Sequence, residues 1–186
     1  MRVIAGSAGG IRLQSPSHDF RPTMDRVREA VFSSLGDRVI GAVVLDLFAG
    51  SGALAIEALS RGARNADIVD SHRQAINAIH SNLARTKLAA GVHQRDAFKF
   101  LAQASGPYDL IFADPPYVKT PDAPDLLQAL LRVARLPELL EPDGLLVLER
   151  NAGGPPLDPG PWRIFRQKRY SGTEIIYATH PQANPV

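Results

Sequence analysis

The segment Asp114-Pro115-Pro116-Tyr117 combines hydrogen-bond acceptors, a rigid backbone and an aromatic ring within four residues. The two prolines fix the backbone and lack N–H donors, which leaves the Asp114 carboxylate and the Pro115 carbonyl as acceptors. Tyr117 offers a face on which a base can stack. Such a turn could simply be a rigid loop, but it directly follows an apolar run. We therefore predict that Asp114, Pro115, Pro116 and Tyr117 hold a planar group that carries an amine.

A second candidate segment extends from Asp46 to Gly52, where glycines follow another continuous apolar run. Glycine lets the backbone turn tightly and approach a ligand, and the N-terminus of the next helix would offer N–H groups to a carboxylate. A tight turn without a ligand is the alternative. Position 55 is Ala, so the third glycine of the dinucleotide fingerprint is missing, which argues against a pyrophosphate cofactor such as NAD.

Two further carboxylates, Asp70 and Asp96, follow predicted strands. Asp70 could accept both hydroxyls of a ribose, and Asp96 could accept the exocyclic amine of adenine. Each residue is equally well explained as a helix N-cap. Glycines or acids at three successive strand ends nevertheless favour an adenosine-containing cofactor.

The elements that must position these residues alternate between short apolar runs and helical periodicity, which is typical of a doubly wound α/β sheet. Ligands of such a sheet bind at the carboxyl ends of its strands. After a Pro/Gly-rich link, the pattern predicts an antiparallel hairpin at the sheet edge. The predicted strands are 43–48, 66–70, 92–95, 108–113, 145–149, 162–170 and 174–179, and the helices are 53–61, 71–86, 97–103 and 124–135.

Residues 1–40 differ from this pattern, and we predict a division into an N-terminal extension, 1–40, and a main domain, 41–182. The extension should contain a hairpin that turns at Gly9-Gly10 and a helix over 24–35 capped by Thr23. Basic residues concentrate in this extension and again over 163–169. Two basic segments around a nearly neutral middle predict an anionic partner, although solvated arginines on edge strands would give the same pattern.

Two groups of motifs carry a resemblance to a known family. Asp46-x-Phe48-Ala49-Gly50-Ser51-Gly52 with Asp114-Pro115-Pro116-Tyr117 resembles the class I methyltransferases that act on exocyclic amines of nucleobases. The string Arg21-Pro22-Thr23-x-Asp25-Arg26-Val27-Arg28-Glu29 resembles, more specifically, the RsmD-like family of bacterial 16S ribosomal RNA guanine-N2 methyltransferases. Similar residues near both ends of the chain extend the resemblance over essentially its whole length.

The resemblance implies a Rossmann-like fold, S-adenosylmethionine as methyl donor with S-adenosylhomocysteine as product, and 16S ribosomal RNA or the assembling small subunit as substrate. It implies that the Asp-Pro-Pro-Tyr turn positions the guanine amine. The implied cofactor-binding residues are Asp46, Phe48, Ala49, Gly50, Ser51, Gly52, Asp70, Ser71, Asp96 and Ala97. The resemblance and the two basic segments together predict the following RNA contacts: Arg12, Arg21, Thr23, Arg26, Arg28, Arg166, Lys168 and Arg169.

Composition excludes several other chemistries. The chain has no cysteine, which rules out disulfides, thiolate metal sites and a cysteine nucleophile. Its five histidines are scattered, so we predict no metal site. No run approaches the ~20 apolar residues of a membrane span, and no signal peptide is evident. We expect a cytoplasmic monomer.

Two alternatives to an RNA methyltransferase remain open. A DNA adenine-N6 methyltransferase shares the acidic Pro-Pro-Tyr turn, but such enzymes usually carry a separate target-recognition domain, for which 186 residues leave little room. A nucleotide-binding or RNA-binding module without catalysis would explain the glycines and the basic ends, but it gives no reason for the Asp-Pro-Pro-Tyr turn.

Overall fold

A seven-stranded mixed sheet organises the chain in the computed structural model, which describes residues 1–16, 22–116 and 124–180 and, for 22–24, the backbone alone. The strands are β1 (Val43–Leu47), β2 (Asn65–Asp70), β3 (Gly91–Gln94), β4 (Tyr108–Ala113), β5 (Leu140–Asn151), β6 (Arg163–Tyr170) and β7 (Thr173–Thr179). The α-helices are α1 (Pro22–Leu35), α2 (Ala53–Ser60), α3 (Arg73–Thr86), α4 (Ala97–Leu101) and α5 (Leu126–Leu131), with 3-10 turns at Gly36–Val39 and Pro137–Leu139.

The strand order is β3-β2-β1-β4-β5-β7-β6. Strands β1 to β5 are parallel to one another, whereas β7 is antiparallel to both β5 and β6. The predicted Rossmann-like sheet and its antiparallel C-terminal hairpin are therefore confirmed. The direction of winding reverses between β1 and β4, and a crevice opens at the carboxyl ends of strands at such a point.

Alternate residues of the strands contribute to two hydrophobic cores, one on each face of the sheet. Val44, Leu110 and Val147 pack with residues 1–16, which we call the N-terminal segment, and with α1, α2 and α3. Leu45, Ile111 and Leu146 pack on the other face with α4 and α5. Because side chains alternate along a strand, these two sets also define which face each site residue occupies. We call the first the α1 face and the second the α4 face.

The N-terminal residues form the predicted hairpin and share the α1-face core. Arg2 bridges Arg12 in antiparallel fashion, and the Val3 N–H donates to the Ile11 carbonyl at 3.0 Å. Val3, Ala8 and Leu13 are buried in the same core as strand β1. The described residues of the 1–40 segment are thus packed against the main sheet.

Most elements differ from their predicted bounds by one or two residues, and α5 and β5 differ by more. Helix α1 begins at Pro22, so Thr23 lies inside its first turn and does not cap it; proline is favoured there because its missing N–H would have no helical partner. Helix α5 ends at Leu131, after which Val133 and Leu136 bond to carbonyls three residues earlier. Strand β5 is longer than predicted because its ends pair with Tyr108 and with β7.

The helices of the described ranges are all too short or too polar to cross a bilayer.

Candidate active site

A cleft of about 700 Å³ lies at the carboxyl ends of the parallel strands, where the winding reverses. Its size is within the range of pockets that bind cofactors and small ligands. The cleft brings together most residues predicted from the strand ends, although they come from four different loops. The predicted residues that line it are Phe48, Gly50, Asp70, Ser71, Asp96, Ala97, Asp114, Pro115 and Pro116.

The loop after β1 has an unusual backbone that Asp70 holds in place. Phe48 and Gly50 have φ angles of 58° and 57°, in the left-handed region that side chains other than glycine rarely adopt. The Gly50 N–H donates to Asp70 Oδ2 at 2.8 Å, and the His72 N–H donates to Oδ1 at 2.8 Å. Asp70 therefore connects two strand-end loops. A Cβ on Gly50 would meet no protein atom within 4 Å, so the backbone here is open to a ligand.

Asp46 lies beneath this loop and is almost entirely buried, with 1% of its surface exposed. Its Oδ2 accepts a hydrogen bond from the Ala55 N–H at 3.1 Å, so Asp46 already occupies one of the helical N–H groups expected to face a ligand. Burial, with a smaller contribution from Asp70, raises the pKa of Asp46 to about 7. Asp46, Ala49 and Ser51 line a smaller cavity of about 200 Å³ that shares Phe48, Gly50 and Asp114 with the main cleft.

Gly52 has a structural role. Its φ is 73°, and a Cβ at this position would approach Ile79 Cγ1 of α3 to 3.2 Å. The glycine allows the loop to pack closely on α3.

Asp96 is the N-cap of a helix and also lines the cleft, while its predicted contact with adenine stays a prediction. Its side chain caps α4, with Oδ1 accepting from the Lys99 N–H at 3.0 Å, and the residue lines the cleft together with Ala97. The same region holds an aromatic wall, because the ring of Phe98 packs edge-on to Phe48 with centroids 6.3 Å apart.

Asp114 belongs to a group of three carboxylates on adjacent strands β1, β4 and β5. Ala113 pairs with Leu148, so Asp114 and Glu149 follow the paired residues at the same level. Alternation places both side chains on the α1 face, where Asp46 also lies. Burial raises the pKa of Asp114 well above its usual range, and the charges of Glu149 and Asp46 raise it further. Tyr117 lies outside the described residues.

Glu149 is the functional candidate that the sequence analysis missed. It lines both cavities with Asp114, and the turn Ser171–Thr173 between β6 and β7 closes the same end of the main cleft. The signal was present, because Glu149 ends the predicted strand 145–149. The strand-end rule that selected Asp70 and Asp96 would have selected Glu149 as well.

The predicted RNA contacts divide into exposed and buried residues. Arg12, Arg26, Arg166, Lys168 and Arg169 are exposed. Lys168 Nζ lies 3.3 Å from Ser34 Oγ, which brings β6 alongside α1. Arg169 also pairs with the buried Glu174 at 3.1 Å. Arg21 and the side chain of Thr23 lie outside the described residues.

The assignment of Arg28 to the RNA surface is wrong for this structure. Its side chain is 4% exposed and pairs with Asp25 at 3.0 Å and with Glu57, which is fully buried, at 3.7 Å. It also donates to the Arg2 carbonyl. A buried guanidinium needs such partners, so Arg28 holds the N-terminal segment in place and is not available to a phosphate.

Two buried polar side chains connect the N-terminal segment to the site. Glu57 accepts hydrogen bonds from the Ile4 and Ala5 N–H groups at 2.7 and 3.1 Å. Asn82 is fully buried; it accepts from the Gln14 N–H and donates to the carbonyls of Gln14 and Ser51. One side chain thus bonds both the N-terminal segment and the glycine loop of the cleft.

Comparison with known proteins supports the same interpretation of the fold and the family. Residues 1–179 match the family model described as "Conserved hypothetical protein 95". The chain is 36% identical over 171 residues to ribosomal RNA small subunit methyltransferase D of Escherichia coli strain K12, which covers 90% of this chain and 84% of the relative. The structure of this chain is similar to that of the yhhF protein of Escherichia coli, with a TM-score of 0.81, 33% identity and 99% of each chain covered.

A more distant structure shares the fold alone. It is a 16S rRNA N2 G1207 methyltransferase of Thermus thermophilus in complex with AdoMet and guanosine, with a TM-score of 0.68 and 24% identity over 88% of this chain and 44% of that one. The family match over residues 1–179 and the identity to the Escherichia coli relative are decisive. This chain belongs to the RsmD-like family of ribosomal RNA methyltransferases.

Proposed function

We propose that the protein transfers a methyl group from S-adenosylmethionine to the exocyclic N2 amine of a guanine in 16S ribosomal RNA. The observation that carries this proposal is the acceptor group formed by Asp114 and the Pro115 carbonyl at the edge of the cleft, in a chain of this family. The Escherichia coli relative is described as a methyltransferase of small subunit ribosomal RNA, and the distant structural neighbour as an N2 guanine methyltransferase.

The cleft suits the proposed cofactor. Gly50 offers open backbone, and Asp70 has two carboxylate oxygens whose remaining lone pairs could accept from ribose hydroxyls. The aromatic pair Phe48 and Phe98 and the residues Asp96 and Ala97 would border the adenine, and Asp46, Ala49 and Ser51 the methionine part. When bound, S-adenosylmethionine supplies an electrophilic methyl group. The residues named above would hold the cofactor by hydrogen bonds and packing alone.

The chain's own residues would mainly align the amine. The lone pair of guanine N2 is delocalised into the ring, so the amine is a poor nucleophile, and its orientation matters most. Alignment can lower a barrier by ~7–11 kcal/mol. Asp114 and the Pro115 carbonyl would accept the amine hydrogens and stabilise positive charge that develops on nitrogen. A carboxylate with a raised pKa could also receive the proton that the methylated amine loses.

The target guanine must be unpaired to enter the cleft, because a base in a duplex cannot present its edge to a pocket. The exposed cations of the N-terminal hairpin, α1 and β6 would hold the surrounding phosphates. We call Arg12, Arg26, Arg166, Lys168 and Arg169 the basic surface. Since ribosomal RNA is the proposed substrate, the reaction would take place in the cytoplasm.

Mass spectrometry of ribosomal RNA from cells that lack the protein tests the proposal. We expect the loss of one N2-methylguanine from 16S RNA, restored by the wild-type protein and by Asp143→Asn, which changes an exposed carboxyl at the other end of β5. Asp114→Ala should not restore it and should lower the methylation rate in vitro by about 10²–10³-fold, the scale of a lost transition-state hydrogen bond. Calorimetry with S-adenosylhomocysteine should show that this variant still binds the cofactor product.

An unchanged guanine modification profile would overturn the substrate. Loss of N6-methyladenine from DNA would favour the DNA methyltransferase alternative, and cofactor binding without any methyl transfer would favour the non-catalytic module.

A further inference from the structure

Glu149 is placed to act on the same base as Asp114. Asp114 directly follows β4, and Glu149 lies at the same level in the adjacent strand β5 and on the same face of the sheet. Both residues line the cleft and the smaller cavity. Their charges influence each other. An amine held by Asp114 therefore lies within the part of the cleft that Glu149 borders.

The edge of guanine that carries N2 has a particular pattern of hydrogen-bond donors. N1–H and one N2–H point in parallel along this edge, while the second N2–H points towards N3. A carboxylate can accept two parallel donors at once, as it does with arginine. Bases that enter a pocket are generally recognised through hydrogen bonds to this edge.

We infer that Glu149 accepts hydrogen bonds from N1–H and the adjacent N2–H of the target guanine, while Asp114 and the Pro115 carbonyl share the second N2–H. Both amine hydrogens are then held in the plane of the ring, and the lone pair is directed out of it. Glu149 is in this way the residue that selects guanine among purines. The inference rests on the proposed function, because it assumes that guanine N2 is the target.

Other purines cannot satisfy this arrangement. In 2-aminopurine the N2 amine is unchanged, but N1 is an acceptor and faces a carboxylate oxygen with no proton between them. Adenine has an acceptor at N1 and lacks the N2 amine. Sites built to hydrogen-bond a substrate N–H reject an analogue that lacks it by about 10⁴–10⁵-fold, because buried polar groups lose their partners.

The substitution Glu149→Gln turns this requirement into a specificity test. It exchanges the carboxylate for an amide, which has one acceptor oxygen and one donor nitrogen. The amide matches N2–H and the N1 acceptor of 2-aminopurine better than it matches guanine. The probes are ribosomal RNA fragments that carry guanine or 2-aminopurine at the position mapped by mass spectrometry, assembled into subunits if wild-type methylation requires it. Methyl transfer and equilibrium binding are measured for each probe, and Glu138→Gln, at an exposed site near the start of β5, is the matched control.

We expect the wild-type protein and Glu138→Gln to prefer guanine by at least about 10²-fold. Glu149→Gln should lower this ratio by at least about tenfold, or invert it, in both measurements. Comparison of this ratio between the variant and the wild-type protein cancels the intrinsic difference in reactivity between the two amines. An unchanged ratio would overturn the inference. If methyl transfer fell equally on both probes, Glu149 would have a structural role only. Failure of the wild-type protein to methylate the guanine probe would instead contradict the proposed function.

Discussion

Three carboxylates, those of Asp46, Asp114 and Glu149, share one face of the sheet at residue scale, and burial makes the charges of Asp46 and Asp114 costly. Asp46 accepts a hydrogen bond from the Ala55 N–H, and burial raises its pKa to about 7. Asp114 has a raised pKa because of its burial and of the nearby Glu149 and Asp46. A buried carboxylate without a cationic partner favours its neutral form. An amine with two donors is therefore well suited to this end of the cleft.

The raised pKa of Asp46 should make the fold less stable as the pH rises from about 4 to 7. Below about pH 4 both the folded and the unfolded chain hold the proton; between about pH 4 and 7 only the folded chain does, so the free energy of unfolding falls as the pH rises. A shift from 3.8 to about 7 corresponds to roughly 4 kcal/mol at 1.36 kcal/mol per pKa unit. Asp46→Asn keeps an acceptor for Ala55 without the charge. We expect it to melt several degrees above the wild-type protein at pH 8.

Calorimetry of the cofactor-free protein checks this prediction. The gap between the two melting temperatures should shrink towards zero as the pH is lowered to 4, while the exposed control Asp143→Asn should show little difference at pH 8. A gap that is the same at pH 5 and pH 8 would contradict the assignment of the raised pKa to Asp46.

The N-terminal segment is fixed at element scale by polar side chains of α2 and α3. Glu57 and Ser60 of α2 accept the N–H groups of Ile4, Ala5 and Ala8, and Asn82 of α3 bonds both Gln14 and Ser51. Asn82 thus anchors both the N-terminal segment and the loop that would border the proposed cofactor. A change in one should be felt by the other through Asn82.

Asn82→Ala removes three hydrogen bonds from a fully buried position. Backbone groups left without a partner cost about 1–3 kcal/mol, so we expect a lower melting temperature. Because the Ser51 carbonyl loses its anchor, calorimetry should also show weaker binding of S-adenosylhomocysteine. Asn77→Ala, at an exposed site on the same helix, is the control and should change neither quantity. Unaltered cofactor binding in a destabilised Asn82→Ala protein would show that the anchor is structural only.

The charge of the whole molecule is close to balanced, at +2, yet the N-terminal hairpin, α1 and β6 carry the exposed cations of the basic surface. Strand β6 is an edge strand of the sheet, and the β6–β7 turn borders the cleft. An RNA strand that follows this edge would reach the cleft with its phosphates on the cations. Counterion release then makes binding dependent on salt.

Replacement of both Arg166 and Lys168 by alanine should weaken RNA binding and reduce its dependence on salt concentration. The slope of log K against log salt concentration should fall by about one unit per lost phosphate contact. Fluorescence titrations of a 16S RNA fragment at several salt concentrations measure it. Arg64→Ala, at an exposed site before the amino end of β2, is the control and should leave the slope unchanged. Equal slopes for the double variant and the wild type would exclude β6 from the RNA surface.

The sequence by itself determined the sheet class and the residues at the ends of its strands, because β-α alternation is a local pattern and a strand end is a local feature. Asp46, Asp70, Asp96 and Asp114 were found in this way, and the basic segments were visible from composition. Only the tertiary structure decided which of these groups meet. The pairing of β4 with β5 sets Glu149 beside Asp114, and the packing of the N-terminal segment on α2 buries Arg28 against Glu57. Both depend on contacts between residues far apart in the chain, and no local periodicity encodes the partner of a strand or the burial of a single arginine.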